Sequence, residues 1–136
     1  MAAVAADAGS LRDRLRTVLR SFPGARLALL FGSHARGEAG PGSDVDVAIV
    51  APGVDLLAVA SALSATCGRE VDLVSLADPG IPLLEELVRD AEVLYEALPG
   101  LGAAWRSTAL ATLEIDRPWY ARMRDAWLAR VAREGV

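Results

Sequence analysis

The stretch LLFGSHARGEAGPGSDVDVAIV, residues 29–50, decides how the first half of this chain folds. An apolar run ends at Gly32-Ser33, a glycine-rich connection follows, and a second apolar run contains Asp44 and Asp46. Short apolar runs flanked by glycine and proline are typical of buried strands. The stretch therefore predicts two strands joined by a short helix over residues 33–37 and a flexible loop, with two acids where a core strand would have apolar side chains.

Strands and helices alternate on both sides of this stretch. Helices are predicted at residues 10–22, 55–66 and after Pro82, and strands at residues 26–31, 44–50, 70–76 and, as a short edge strand, 92–96. Ser10 with Asp13 resembles a capping box at the start of the first helix. Two further helices, residues 101–113 and 118–132, form a helical tail. The pattern indicates an α/β (α+β) fold with a small mixed sheet.

Length and composition limit the possible functions. We expect one domain over residues 1–136, with a core at about 25–98 and a tail at about 100–133. The net charge of −4, with arginine as the only strong cation, argues against general nucleic-acid binding. Cys67 is the only cysteine, which excludes an internal disulfide. No apolar stretch predicts a membrane span or a signal peptide, so we expect a cytoplasmic protein without membrane contact.

Three aspartates lie where strands should be apolar. Alternate strand residues share a face, so Asp44 and Asp46 leave the same surface, and Asp72 lies between Val71 and Leu73 in the next strand. Two carboxylates about 4 Å apart repel by roughly 4 kcal/mol at an effective dielectric near 20. A cation should therefore lie among them. Carboxylate ligands favour Mg²⁺ or Mn²⁺, which usually binds together with substrate phosphates.

The Gly32-Ser33 turn before the acids is suited to a phosphate. Glycine has no Cβ, so an anion can approach its backbone, and Ser33 could cap the following helix. Alone, such a turn is usually only a joint between a strand and a helix. Together with an Asp-x-Asp pair it predicts a nucleoside triphosphate site.

The segment GSHARGEAGPGSDVDVAIV resembles the signature of minimal nucleotidyltransferases of the DNA polymerase beta-like superfamily: Gly-Ser-x-x-Arg-Gly followed by Ser-Asp-x-Asp. The short chain with a helical tail is similar to MntA-type antitoxins, which are encoded beside HEPN toxins. The resemblance implies a nucleotidyltransferase fold and transfer of AMP from ATP to a tyrosine hydroxyl of a HEPN ribonuclease partner. It assigns ATP binding to Gly32, Ser33, Arg36 and Ser43, and the catalytic metal ligands to Asp44, Asp46 and Asp72.

Other residues near the motif are open to more than one reading. Arg36 could contact phosphate or hold the loop by pairing with a carboxylate. Ser43 is predicted to shape the loop by bonding local backbone. His34 is expected at the surface without a role as a base, and Glu70 at the rim of the site. In the tail, we expect the stripe to be core rather than an interface; it comprises Trp119, Tyr120, Met123 and Trp127.

Two other functions compete with protein AMPylation. The chain could transfer a nucleotide to a small molecule such as an aminoglycoside, with a homodimer completing the pocket. It could also be a binding module that neutralises its partner by contact, without chemistry. The sequence favours AMPylation because the chain has no added domain to hold a small acceptor.

Overall fold

The apolar runs of the chain form one mixed four-stranded sheet. The computed structural model describes the backbone of residues 8–134 and the side chains of residues 11–134. The strands are β1 (Leu27–Phe31), β2 (Val45–Val50), β3 (Val71–Ser75) and β4 (Glu92–Glu96). Their order is β3-β2-β1-β4. β1 pairs antiparallel with β2 and with β4, whereas β2 and β3 are parallel. All four predicted strands are confirmed, and β4 lies at an edge as expected.

Helices cover both faces of this sheet. They are α1 (Ala8–Arg20), α2 (Ser33–Arg36), α3 (Leu56–Cys67), α4 (Ile81–Asp90) and α5 (Leu101–Glu134). Helices α1 and α3 pack on the face that holds Val45, Val47 and Ile49. Helix α4 packs on the opposite face with Ala48, and α5 adds Trp105 there. The alternation of residues along β2 therefore divides the core into two layers.

Strand β1, which lies between β2 and β4, contains no polar residue. Every residue of β1 is buried, because the strand has a neighbour on each side and helices on both faces. Such a strand must be apolar throughout. β2 differs only at its start, where Asp46 is half-buried between the buried residues Val45 and Val47. The acids therefore lie at the start of β2, which is less buried than its middle.

The beginning of α1 differs from the prediction. The helix starts at Ala8, so Ser10 lies inside it and cannot be the N-cap residue of a capping box. The prediction was wrong because a Ser-x-x-Asp spacing also occurs within the first turns of a helix, where acidic side chains are favourable. The buried stripe, Leu11, Leu15 and Leu19, has the predicted helical spacing.

The tail is one helix and not two. Helix α5 runs through Pro118 for 34 residues, about 50 Å at 1.5 Å per residue. Proline removes the hydrogen bond that residue 118 would donate to Glu114, which normally ends or kinks a helix. Here Glu114 is exposed, so its carbonyl group can be solvated by water, and the residues on both sides favour helix.

The aromatic stripe of α5 is not core. Trp119, Met123 and Trp127 are 58%, 53% and 54% exposed, and only Tyr120 is half-buried. The prediction was wrong because Leu113 is the last buried residue of α5 among residues 101–134, and the stripe lies beyond it. No helix within residues 8–134 is long and apolar enough to cross a membrane.

Candidate active site

Gly32 and Asp46 are brought together by the pairing of β1 with β2. Asp46 is the register partner of Phe31, the residue before Gly32. Gly32 is buried and has φ 72° and ψ −153°, a conformation that suits only glycine. A Cβ built there would lie 2.2 Å from Asp46 Oδ2. The side chain of Asp46 therefore fills the space that the missing Cβ leaves.

The turn after Gly32 is not capped by Ser33. Gly32 itself occupies the N-cap position of α2, and no side chain bonds the free N–H groups of this helix. The expectation that Ser33 caps the helix was wrong, because Ser33 is already its first helical residue. The first N–H groups of α2 therefore have no side-chain cap, and a phosphate at this turn would meet them.

Asp46 and Asp72 are register partners on the parallel strands β2 and β3. Cα partners in a sheet point their side chains to the same face. Asp44 immediately precedes β2, two residues before Asp46. Partial burial raises the pKa of Asp46, the negative charges of Asp72, Asp44 and Glu86 raise it further, and His34 lowers it. The structure thus groups the three predicted acids electrostatically.

The three acids form no ion pair with an arginine in the described part of the chain. Among the ion pairs within residues 11–134, none involves Asp44, Asp46 or Asp72. Within the same residues, no three His, Cys, Asp or Glu side chains form a ready-made metal cage. An uncompensated carboxylate cluster of this kind fits Mg²⁺ or Mn²⁺, which takes one or two carboxylates and completes its shell with phosphates and water.

Arg36 holds the glycine-rich loop beside the acids. Its Nε donates to Glu38 Oε1 at 2.9 Å, and its guanidinium lies 3.8 Å from Glu86 Oε2. These carboxylates raise the pKa of Arg36, mainly through the hydrogen bond that Arg36 donates to Glu38. The structure thus supports the loop-holding alternative for Arg36. Sequence reasoning missed Glu86, because nothing in the spacing of α4 tells which acidic residue faces β2.

Ser43 and Arg69 shape the rest of the loop. Ser43 Oγ accepts a bond from the Gly40 N–H at 2.8 Å, which confirms the predicted local role of Ser43. Arg69 NH1 donates to the carbonyl oxygens of Gly40, Pro41 and Ser43 at 3.3, 3.0 and 3.4 Å. Sequence reasoning missed Arg69, which lies 26 residues after Ser43 and belongs to no motif.

His34 and Glu70 lie around the site. His34 is half-buried, with Nε2 3.5 Å from the Ser43 carbonyl oxygen, and its own carbonyl oxygen accepts a bond from Arg12 NH2 at 3.3 Å. Glu70 precedes β3, is exposed, and accepts the Val45 N–H at its carbonyl oxygen at 2.9 Å. His34 contacts the backbone of the loop, and Glu70 bonds the start of β2 through its carbonyl oxygen. Glu70 therefore lies at the rim of the site, as predicted.

Residues 13–98 match the family model described as "Polymerase beta, Nucleotidyltransferase". The chain belongs to this nucleotidyltransferase family. The matched region includes both strands that carry the acids and excludes α5. No curated protein matches the chain significantly.

Solved structures share the fold. One, described as a toxin-antitoxin with AMP-PNP, matches with a TM-score of 0.69 at 22% identity over 85% of this chain and 98% of the other. A tri-AMPylated Shewanella oneidensis HEPN toxin in complex with an MNT antitoxin contains a chain with a TM-score of 0.67 and 20% identity, covering 89% and 99%. A minimal nucleotidyltransferase is 36% identical over 63% of this chain and 94% of its own, with a TM-score of 0.55.

Proposed function

We propose that this protein transfers AMP from ATP to a hydroxyl group of a protein partner. The observation that carries the proposal is the group formed by Asp44, Asp46 and Asp72, none of which forms an ion pair within residues 11–134, beside the turn at Gly32. The partner that best fits is a HEPN-family ribonuclease toxin, and the acceptor a tyrosine. The structural neighbours support this choice, because two of them are toxin-antitoxin structures, one with AMP-PNP and one with an AMPylated HEPN toxin.

Metal binding falls to the aspartates. Asp44 and Asp46 would hold Mg²⁺ or Mn²⁺ together with the triphosphate, and Asp72 would complete the set. When bound, the ion neutralises the negative charge of these carboxylates and of the phosphates and stabilises the leaving pyrophosphate. The raised pKa of Asp46 is consistent with a site that awaits a positive charge.

The turn would hold the phosphates of the nucleotide. The turn begins at Gly32, and the first N–H groups of the single-turn helix α2 have no side-chain cap. Ser33 lies at this first turn and would contribute its hydroxyl group. Arg36 and Ser43 would act indirectly. They would fix the loop through their hydrogen bonds with Glu38 and Gly40 and would not contact the nucleotide.

The transfer balances with the groups present. The acceptor oxygen attacks the α-phosphorus, the bond from that phosphorus to the bridging oxygen breaks, and pyrophosphate leaves. The proton of the hydroxyl group passes to a base, and Asp72 is suited to this role because it is exposed and lies beside Asp46. The exposure of Asp44 and Asp72 leaves room for a protein segment to approach.

A transfer assay tests the proposal. The purified chain is incubated with Mg²⁺, ATP labelled in the α-phosphate and a HEPN-family toxin, and the label is located by mass spectrometry. We expect label on a toxin tyrosine, and no label with the Asp44→Asn/Asp46→Asn variant. Asp78→Asn is the matched control, because Asp78 is exposed and follows the far end of β3. Label on an aminoglycoside instead would favour the small-molecule alternative.

Toxin neutralisation separates chemistry from simple binding. If the Asn variant still blocks the ribonuclease as well as the unchanged chain, the protein is a binding module and the proposal fails. If neutralisation is lost while binding to the toxin remains, the transfer is what blocks the toxin.

A further inference from the structure

A cavity of about 580 Å³ opens on the side of the sheet covered by α1 and α3. It lies between the start of α1, the back of α2 with its loop, and the end of α3. Its lining includes Leu11, Arg12, Arg14, His34, Pro41 and Arg69. None of the three aspartates of the candidate active site lines it.

The charge of this cavity is opposite to that of the chain. Among the described residues, three arginines line it and no Asp or Glu does, although acids outnumber cations 18 to 14 in the sequence. Arg12 is paired with Glu92 at 2.8 Å. Arg14 and Arg69 have no carboxylate partner among the side chains of residues 11–134. The guanidinium groups of Arg14 and Arg69, which lie in a concave site, therefore attract an anion.

We propose that this cavity is a second anion site, which takes a small phosphate-bearing ligand such as pyrophosphate or a mononucleotide. Its volume is within the range of small-molecule sites, about 300–1,000 Å³. Arginine matches the geometry of phosphate oxygens with paired N–H groups. Apolar side chains, among them Leu11 and Pro41, line the rest of the cavity and can contact a base or sugar. A nucleic acid is disfavoured because the cavity is local and the chain carries a net charge of −4.

The site is connected to the loop that leads into Asp44. The three bonds from Arg69 to loop carbonyl oxygens all come from NH1, so its other nitrogens can meet a ligand. Arg12 also donates to the His34 carbonyl oxygen, but its guanidinium group is already held by Glu92. A bound anion would therefore fix Arg69 and through it the loop. The site does not depend on the proposed catalysis, since it uses neither the aspartates nor a metal.

Calorimetry on the Asp44→Asn/Asp46→Asn chain in EDTA and low salt tests the site, because binding at the aspartates is then removed. Inorganic pyrophosphate and AMP are the probes, and adenosine is the phosphate-free control. We expect pyrophosphate or AMP to bind and adenosine not to bind. Whichever of the two binds more tightly identifies the ligand as free polyphosphate or nucleotide.

Arginine variants locate the binding. Arg14→Gln should weaken it about tenfold or more, as expected for loss of a charge-assisted hydrogen bond. Arg20→Gln is the control, because Arg20 is an exposed arginine of the same helix that does not line the cavity. Since Arg14 is exposed, its variant should fold normally, and Arg69→Gln supplies a second measurement.

Four results would overturn the proposal. These are no binding of either probe, equal weakening by Arg14→Gln and Arg20→Gln, equal binding of adenosine, and binding of an oligonucleotide without binding of pyrophosphate. Loss of AMP transfer in the same variants would not bear on it, because the binding is measured without metal or acceptor.

Discussion

The carboxylate of Asp46 occupies the place where any residue other than glycine at position 32 would carry its Cβ. Both residues owe their positions to the pairing of β1 with β2, and the closeness is independent of the loop between them. The candidate phosphate-binding turn and the candidate metal ligand are therefore one structural unit. A change at either residue should be felt at the other.

Gly32→Ala should reduce AMP transfer much more than Gly53→Ala does, and it should also lower the free energy of unfolding. The new Cβ would push the Asp46 carboxylate aside, and the positive φ adds about 1–3 kcal/mol of backbone strain. Urea unfolding and the transfer assay measure the two effects. Gly53→Ala is the matched control, because Gly53 also has φ 73° but nothing within 4 Å of the built Cβ. Equal activity of the two variants would show that the contact with Asp46 does not matter.

Asp46→Asn should raise the melting temperature at neutral pH in the absence of metal. The folded chain holds the pKa of Asp46 above its ordinary value through burial and through Asp72 and Asp44. A carboxylate with a raised pKa lowers stability as the pH rises from its unfolded value through its folded value. The gain should therefore vanish in acid, below pH 3.8, the ordinary value for this residue. Thermal melts of both chains across this range measure it, with Asp78→Asn as the control.

Glu92→Gln should lower stability at neutral pH by up to about 1 kcal/mol, the size expected for a partly exposed ion pair. The hydrogen bond from Arg12 holds the pKa of Glu92 below its ordinary value of 4.5. Its contribution is therefore present above pH 4.5 and is lost as the pH falls through the lower folded value. Urea unfolding at neutral and acidic pH should show the two chains converging in acid. A constant difference at every pH would contradict this account, and Glu134→Gln controls for the loss of an exposed charge.

Two truncations in α5 should separate its two halves. Leu113→Ala should cost about 2–5 kcal/mol, because Leu113 is 2% exposed and packs against α4. Trp127→Ala should change the free energy of unfolding by less than about 0.5 kcal/mol, because the side chain is 54% exposed. If the outer half contacts a partner, Trp127→Ala should weaken toxin binding in calorimetry. A large loss of stability in Trp127→Ala would mean that this half packs on the body.

The strands could be predicted from the sequence because local patterns determine them. Buried β1 is wholly apolar, β2 alternates at its start, and glycine or proline follows each. The faces of Asp44 and Asp46 followed from the same alternation. The partnership of Asp46 with Asp72 needed one further assumption, that their strands are neighbours, and the parallel pairing of β2 with β3 confirms it.

Long-range relations were beyond a single sequence. The approach of Glu86 to Asp46 and the bonds of Arg69 to the loop depend on how α3 and α4 lie on the sheet. The continuity of α5 through Pro118 depends on the exposure of the helix around the proline, which a propensity cannot reveal. The predicted burial of Trp119 was wrong for a similar reason. Helical spacing shows that residues share a face, but it does not show whether anything covers that face.

The register of β1 against β2 also determines which sequence changes this family member can tolerate. Residues 37–43 could lengthen or shorten without moving Asp46, since buried strand pairs hold both ends of the hairpin. A slip of one residue within the strands would turn Asp46 toward α1 and α3 and bring Val47 to the face that now holds Asp46 and Ala48. Insertions between the turn and the acids should therefore be permitted, whereas a single deletion inside Val45–Val50 should abolish both the core and the site.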